Sequence, residues 1–309
     1  AIRWGYLPRI APWLARFVAA SRPARVEEIS KALASLLGRA AGAYRDLVLG
    51  TAAEDLMRPT GTIIVYATEA GFEAARFAHD LRRRRDIRIE ELRDGEIRQL
   101  EPALSPTIKH AVFSPDCIQI ADPLVLTQQL AEAFVRAGGT ILRETVTDVR
   151  IGPNGPSHLV TDAGVHHVDR LVLAAGAWSR RLAGRLGARV PLDTERGYHL
   201  MLPKPGVELR IPIIAGERKI GITPMIGGIR LAGTVEFGGL ERPPDYRRAR
   251  IMAGMAREVI PSLVTDGADE WMGFRPSMPD SLPVIGPSPR YKNAFFAFGH
   301  GHSGLTLGA

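Results

Sequence analysis

Ala294-Phe-Phe-Ala-Phe298, then Gly299-His-Gly-His-Ser-Gly304, then Leu305-Thr-Leu-Gly-Ala309 is the stretch on which the reading of this chain turns. The apolar run predicts a buried strand, the glycines a tight turn, and the residues after them a helix start. This is G-x-G-x-x-G after a strand, the spacing of a dinucleotide-binding turn. The full pattern also has a second strand and an acidic residue ~20 positions on that holds a ribose; neither follows here. What survives is physical. Glycines let backbone approach a ligand, and N–H groups at a helix start point at it, so an electron-rich oxygen suits the position. A plain strand–helix turn is the structural alternative. Ser303 raises a hydrolase reading, but a nucleophile elbow needs G-x-S-x-G, and Gly301-His-Ser-Gly-Leu305 lacks the second glycine.

Two stretches upstream carry the next signals. In Trp271-Met-Gly-Phe-Arg-Pro276, Arg275 has no acidic residue four positions away on either side. A guanidinium free of such a partner can grip a carboxylate through two parallel hydrogen bonds; capping of backbone carbonyls is the alternative. Leu171-Val-Leu-Ala-Ala-Gly-Ala-Trp-Ser179 is an apolar strand running into small residues, which suits a ligand lying against backbone or close strand–helix packing.

Composition bounds the class. The 309 residues are 45% hydrophobic and 24% charged, an ordinary globular composition. The lone Cys117 excludes an internal disulfide and a cysteine-cluster metal site, and fits a reducing, cytoplasmic compartment. No apolar run reaches the ~20 residues of a membrane span. Part of the +7 net charge sits in Arg82–Arg85, either a solvated helix end or a patch for an anionic membrane surface. Nucleic acid is not expected, since no binding motif is present and aromatics are only 6%.

Helices are expected at 7–20, 24–48, 70–84, 124–137, 177–186 and 245–260. The fourth starts at Asp122-Pro123, an N-cap followed by proline at the first helical position. Strands are expected at 61–66, across 109–121, at 140–143, 146–151 and 170–176, and in a series at 197–202, 209–214, 219–224 and 228–235. A hairpin turns at Asp162-Ala-Gly164.

The three signal stretches, in this order, closely resemble the D-amino-acid oxidase superfamily of flavoproteins, most of all the small-subunit type of bacterial D-amino-acid dehydrogenase. Glu101-Pro-Ala-Leu, the Asp122-Pro helix start, Arg196-Gly-Tyr-His199, Lys219-Ile-Gly-Ile-Thr223 and Ile229-Arg-Leu-Ala-Gly233 look like further landmarks of that family. The resemblance implies an α+β fold, in which an α/β-like FAD-binding part is interleaved with a mixed or antiparallel substrate-binding sheet. The divisions expected are 1–108 and 193–270 for the substrate part, and 109–192 and 271–309 for the FAD part. It also implies a strand–G-x-G-x-x-G–helix unit near the N-terminus. None precedes residue 110, so a fragment is expected, lacking that motif and the C-terminal end.

Carried over by motif, Arg275 would bind the substrate α-carboxylate and Tyr198 would lie over the flavin and seat the substrate. Val146 would meet adenine; Ala174, Ala175, Gly176 and Trp178 would approach the ribose and diphosphate. Gly299, His300, Gly301, His302, Ser303, Gly304 and Leu305 would face the flavin pyrimidine ring. The chemistry implied is oxidative deamination of a D-amino acid or cyclic imino acid, by hydride transfer from Cα to flavin. Sarcosine oxidases place a lysine where this sequence is read as having Arg230, which points to a dehydrogenase passing electrons to a quinone or carrier. A glycine- or sarcosine-oxidase-like oxidase and a non-catalytic amino-acid-binding fragment are the alternatives. The arginine cluster would suit a peripheral contact on the inner membrane face.

Overall fold

The computed structural model describes residues 2–309. It opens with α1 (Leu7–Ala20) and α2 (Pro23–Val48), each with proline in its first turn, where a missing N–H costs nothing. The apolar side of α2 presents Tyr44 and Val48 to Leu56, Ala121 and Leu126. A short β1 (Met57–Arg58) and the buried β2 (Thr62–Tyr66) follow. The helix expected at 70–84 is two, α3 (Glu69–Ala74) and α4 (Arg76–Arg83), with the break at Ala75. Next come β3 (Glu90–Arg93), α5 (Asp94–Leu100), β4 (His110–Ser114) and β5 (Gln119–Ile120). The Asp122 carboxylate accepts from the N–H groups of Leu124 (2.8 Å) and Val125 (3.1 Å) and starts α6 (Pro123–Arg136).

Residues 140–143 form no strand. Ile141 and Leu142 are exposed and unpaired, so an apolar run there has no sheet to join. A three-stranded meander follows, β6 (Val146–Gly152), β7 (Gly155–Thr161) and β8 (Val165–His167), turning at 162–164 as its residues predict. Then β9 (Leu171–Leu173) leads through a 3-10 turn, Gly176–Trp178, into α7 (Ser179–Arg185). The long strand β10 (Asp193–Leu202) is followed by β11 (Ile213–Ala215), β12 (Ile220–Met225) and β13 (Gly228–Glu236). Helix α8 (Arg247–Val259), β14 (Asp269–Ser277), β15 (Val284–Pro287) and β16 (Ala294–Phe298) complete the order.

Eight strands form one mixed sheet in the order β14-β10-β13-β12-β11-β2-β4-β3. In it β4 lies between β2 and β3. β14 pairs with β10 along its whole length. The sheet thus runs across the expected divisions at 108 and 270, joined by hydrogen-bonded register that sequence composition does not report. One face of the sheet is closed. Ala249, Met252, Ala256 and Val259 of α8, at helical spacing, cover Tyr198, Leu200, Leu231 and Ile222 in the main core. A second core forms where β9 pairs parallel with β16 and α7 packs on them through Leu182, Ala183 and Leu186.

The Arg82–Arg85 cluster is largely engaged in ion pairs. Arg83 meets Asp80 and Glu91, while Arg84 and Arg85 meet Glu27 of α2. These contacts fasten α4 to α2. No helix among the described residues is long and apolar enough to cross a membrane.

Candidate active site

Strand β10 organises the site because its residues alternate between the two sheet faces. Tyr198, Leu200 and Leu202 point under α8. Glu195, Gly197 and His199 take the other face, and their direct neighbours across the β14 ladder are Arg275, Gly273 and Trp271. Across β13, Met201 opposes Arg230 and His199 opposes Ala232; Gly221 of β12 opposes Ala232 in turn. The small residues Gly273, Gly197, Ala232 and Gly221 therefore make a low floor. Arg275, His199, Trp271 and Arg230 stand at its sides.

The glycines are needed where they are. A Cβ on Gly197 would collide with the Arg275 guanidinium carbon, and one on Gly273 with the Trp271 ring. Arg275 thus lies flat over Gly197, and Trp271 folds back over Gly273. The Trp271 ring also stacks on His199, with centroids 4.8 Å apart and planes 21° from parallel.

The electrostatics of this floor are unbalanced. Arg275 Nη1 and Arg230 Nε are buried and have no hydrogen-bond partner. Neither side chain forms an ion pair among the described residues, although Glu195 acts on Arg275 and Asp122 on Arg230 from farther off. Burial, helped by the charge of Arg230, lowers the Arg275 guanidinium below its ordinary range despite Glu195. Burial likewise lowers Arg230. Burial and then the charges of Arg230 and Arg275 press His199 down from 6.5 to about 4, so it is neutral near pH 7. Desolvating cations without a partner is costly. An anion on this floor would satisfy them.

Tyr198, expected over the cofactor, is on the opposite face. It is 1% exposed, donates to Glu236 Oε2 at 2.6 Å and accepts from the Asp245 N–H at 3.1 Å. The period of two carries it into the core and places its neighbour His199 at the site instead. Arg196, also on the closed face, is fully buried and paired through its two Nη atoms, while its Nε has no partner. It meets Glu236 at 3.5 Å and donates to the carbonyls of Pro243 and Arg242.

The Gly-rich loop after β16 reaches the same floor from its end. His300 bridges to Ser277, the last residue of β14, and His302 Nε2 lies 3.0 Å from Glu195 Oε2. Gly299 and Gly301 have positive φ of 81° and 53°, which side-chain-bearing residues adopt at a cost. Ser303 donates its N–H to the His300 carbonyl in a 3-10 turn, Gly301–Ser303, and residues 305–309, where a helix start is expected, begin as a plain turn. Leu305 offers its carbonyl to the Tyr44 hydroxyl, which joins the loop to α2; Gly304 between them is exposed.

Val146, Ala175 and Trp178 line one cleft of about 1210 Å³ with Thr194 and the arginines Arg9, Arg180, Arg181 and Arg242. Ala174 and Gly176 flank Ala175 in the chain, and Gly176 takes φ of 53°. Trp178 packs edge-on against Phe274 of β14 at 5.5 Å, beside Arg275 in sequence. β10 links the two places, with Asp193 and Thr194 in the cleft and Glu195 to His199 along the floor. Sequence reasoning passed over Trp271 and the Gly197–Gly273 pair as site residues, and it gave His199 and Arg230 no part in holding the substrate. The alternation Glu195, Gly197, His199 against Tyr198, Leu200, Leu202 was the available signal.

A family model described as FAD dependent oxidoreductase matches residues 8–309. A D-amino-acid oxidase of Bradyrhizobium diazoefficiens is 34% identical, with 99% of this chain and 74% of that protein covered. A D-amino acid dehydrogenase of Paramagnetospirillum magneticum is 31% identical, over 99% of this chain and 73% of that protein. The crystal structure of glycine oxidase from Bacillus cereus superimposes with a TM-score of 0.76 at 21% identity, covering 93% of this chain and 78% of the other, a likeness of fold.

Proposed function

Because this chain belongs to the FAD dependent oxidoreductase family, we propose that it oxidises an amino acid at its Cα–N bond, with Arg275 holding the substrate carboxylate. The buried Arg275 Nη1 without a partner carries this reading. The cleft residues fit FAD. Thr194 Oγ1 is buried there without a partner, a Cβ on Gly176 would meet nothing within 4 Å, and four arginines surround it for a diphosphate. Val146, Ala175 and Trp178 would hold the nucleotide end, and the loop 299–305 the ring end. When bound, FAD supplies the acceptor for the hydride leaving Cα, and the imino acid so formed hydrolyses to a 2-oxo acid.

The chain's own residues position and desolvate. Arg275 fixes the carboxylate through charge-assisted hydrogen bonds, which sets the direction of the Cα–H. Trp271 and His199 wall the floor against water. His199 is neutral near pH 7 and can accept a hydrogen bond from the substrate amine. Tyr198 acts from below, fixing Glu236 and the start of α8. The acceptor we assign is a quinone or electron carrier, since a lysine facing the cofactor, as in sarcosine oxidases, is replaced by Arg230.

The test is to load the protein with FAD and add amino acids anaerobically. Bleaching of the flavin band by D-amino acids, faster with a quinone analogue than with oxygen on reoxidation, is the expected result. Bound flavin that no amino acid reduces would refute the reading.

A further inference from the structure

Arg230 is a second cation on the open floor, and one α-carboxylate leaves it unused. Its place follows from the ladder. Arg275 reaches over Gly197, His199 is two residues along β10, and Arg230 stands beside Met201, two further. Four residues of strand span about 13 Å of backbone. An extended arginine side chain closes most of that gap, and the charge of Arg230 does act on both His199 and Arg275. The two guanidiniums therefore face one small space with a neutral imidazole between them. Arg230 Nε is buried without a hydrogen bond, and Asp122, its nearest opposing charge, already accepts two N–H groups as the cap of α6. Glu195 is likewise turned to His302.

We propose that this floor takes a dicarboxylic amino acid, its α-carboxylate on Arg275 and its side-chain carboxylate on Arg230. The assignment rests on the amino-acid reading above and extends it to a substrate class. The low floor of Gly197, Ala232 and Gly221 fits a short, unbranched chain between two charged ends. A neutral amide in place of the second carboxylate leaves Arg230 unpaired, so D-glutamate and D-glutamine, equal in size, separate the cases.

Two measurements on the FAD-loaded protein test it. The first is kcat/KM for D-glutamate against D-glutamine and D-aspartate against D-asparagine. The acid is expected to lead by about 30-fold, the scale of one charge-assisted hydrogen-bonded contact. Arg230→Met, which keeps the stem of the side chain, should bring each ratio to near one, and Arg230→Lys should restore part of it. A wild-type ratio at or below one, or a ratio unchanged in Arg230→Met with an unaltered melting temperature, overturns the proposal. The second is calorimetry with glutarate against glutaramate, which needs no turnover. Tighter glutarate binding that disappears in Arg230→Met supports the site even where no amino acid reduces the flavin, an outcome that sinks only the amino-acid oxidation reading. Reduction by neutral amino acids with no glutarate preference removes the dicarboxylate assignment and keeps the oxidation.

Discussion

Arg196 and Arg275 sit on neighbouring strands of one sheet, on opposite faces, and their surroundings differ in kind. Beneath the sheet, Arg196 is wholly buried, meets Glu236 and two carbonyls, and lies 5.6 Å from the Phe274 ring. Above it, Arg275 is partly buried over a glycine, with Nη1 unpaired. Each guanidinium has one buried N–H without a partner, so what separates the two is the counter-ion: Glu236 pairs with Arg196, and among the described residues no carboxylate pairs with Arg275. The closed face joins Arg196 and Tyr198 to Glu236 and is covered by α8. The open face keeps charge without partners and glycines without side chains.

The strongest way to break this comparison is to remove each cation in turn. Arg275→Leu should lower kcat/KM by about 3–5 kcal/mol, on the order of 1000-fold, as loss of a desolvated carboxylate partner does. Its urea midpoint should stay level or rise, because an unpaired buried charge is gone. A variant with unchanged kcat/KM would remove Arg275 from the site. Arg196→Met should do the reverse, with stability falling by about 3 kcal/mol in urea denaturation. If the variant is as stable as the wild type, the closed face does not depend on that network.

Tyr198→Phe sharpens the contrast at one position. Loss of its bond to the buried Glu236 should cost about 2 kcal/mol of stability, since bonds to charged groups are worth about 1.5–3. Activity should stay within a few-fold in stopped-flow flavin reduction. A large fall in the reduction rate without a stability change would put Tyr198 at the substrate after all.

Much of this was legible in the sequence, and the gaps have physical causes. The Asp122-Pro123 cap, the hairpin at 162–164 and the strand before the Gly-rich loop depend on local chemistry, which neighbouring residues carry. The membership of β4 and β14 in the large sheet depends on partners far along the chain. Arg275 stood out by its isolation from acidic residues. Tyr198 and His199 are adjacent, so a motif that includes both cannot say which one faces the ligand, and only the ladder to Trp271 and Met272 does. Arg230 was visible as a residue, but its lack of a counter-ion is a three-dimensional fact.

The smallest effect concerns pH. His199 titrates near 4 when folded against 6.5 ordinarily. Between those values the unfolded chain binds more protons, so stability falls as pH drops from about 6.5 towards 4. His199→Gln should flatten that part of the stability profile in denaturation curves taken at each pH. An unchanged slope would mean that burial and the charges of Arg230 and Arg275 do not hold the imidazole neutral.

The most direct test of the central claim is a crystal structure of the FAD-loaded protein with an unreactive carboxylate such as benzoate. The account predicts the carboxylate on the open face above Gly197, within hydrogen-bond distance of Arg275 Nη1. A carboxylate bound elsewhere, with Arg275 turned to pair with Glu195, would contradict it.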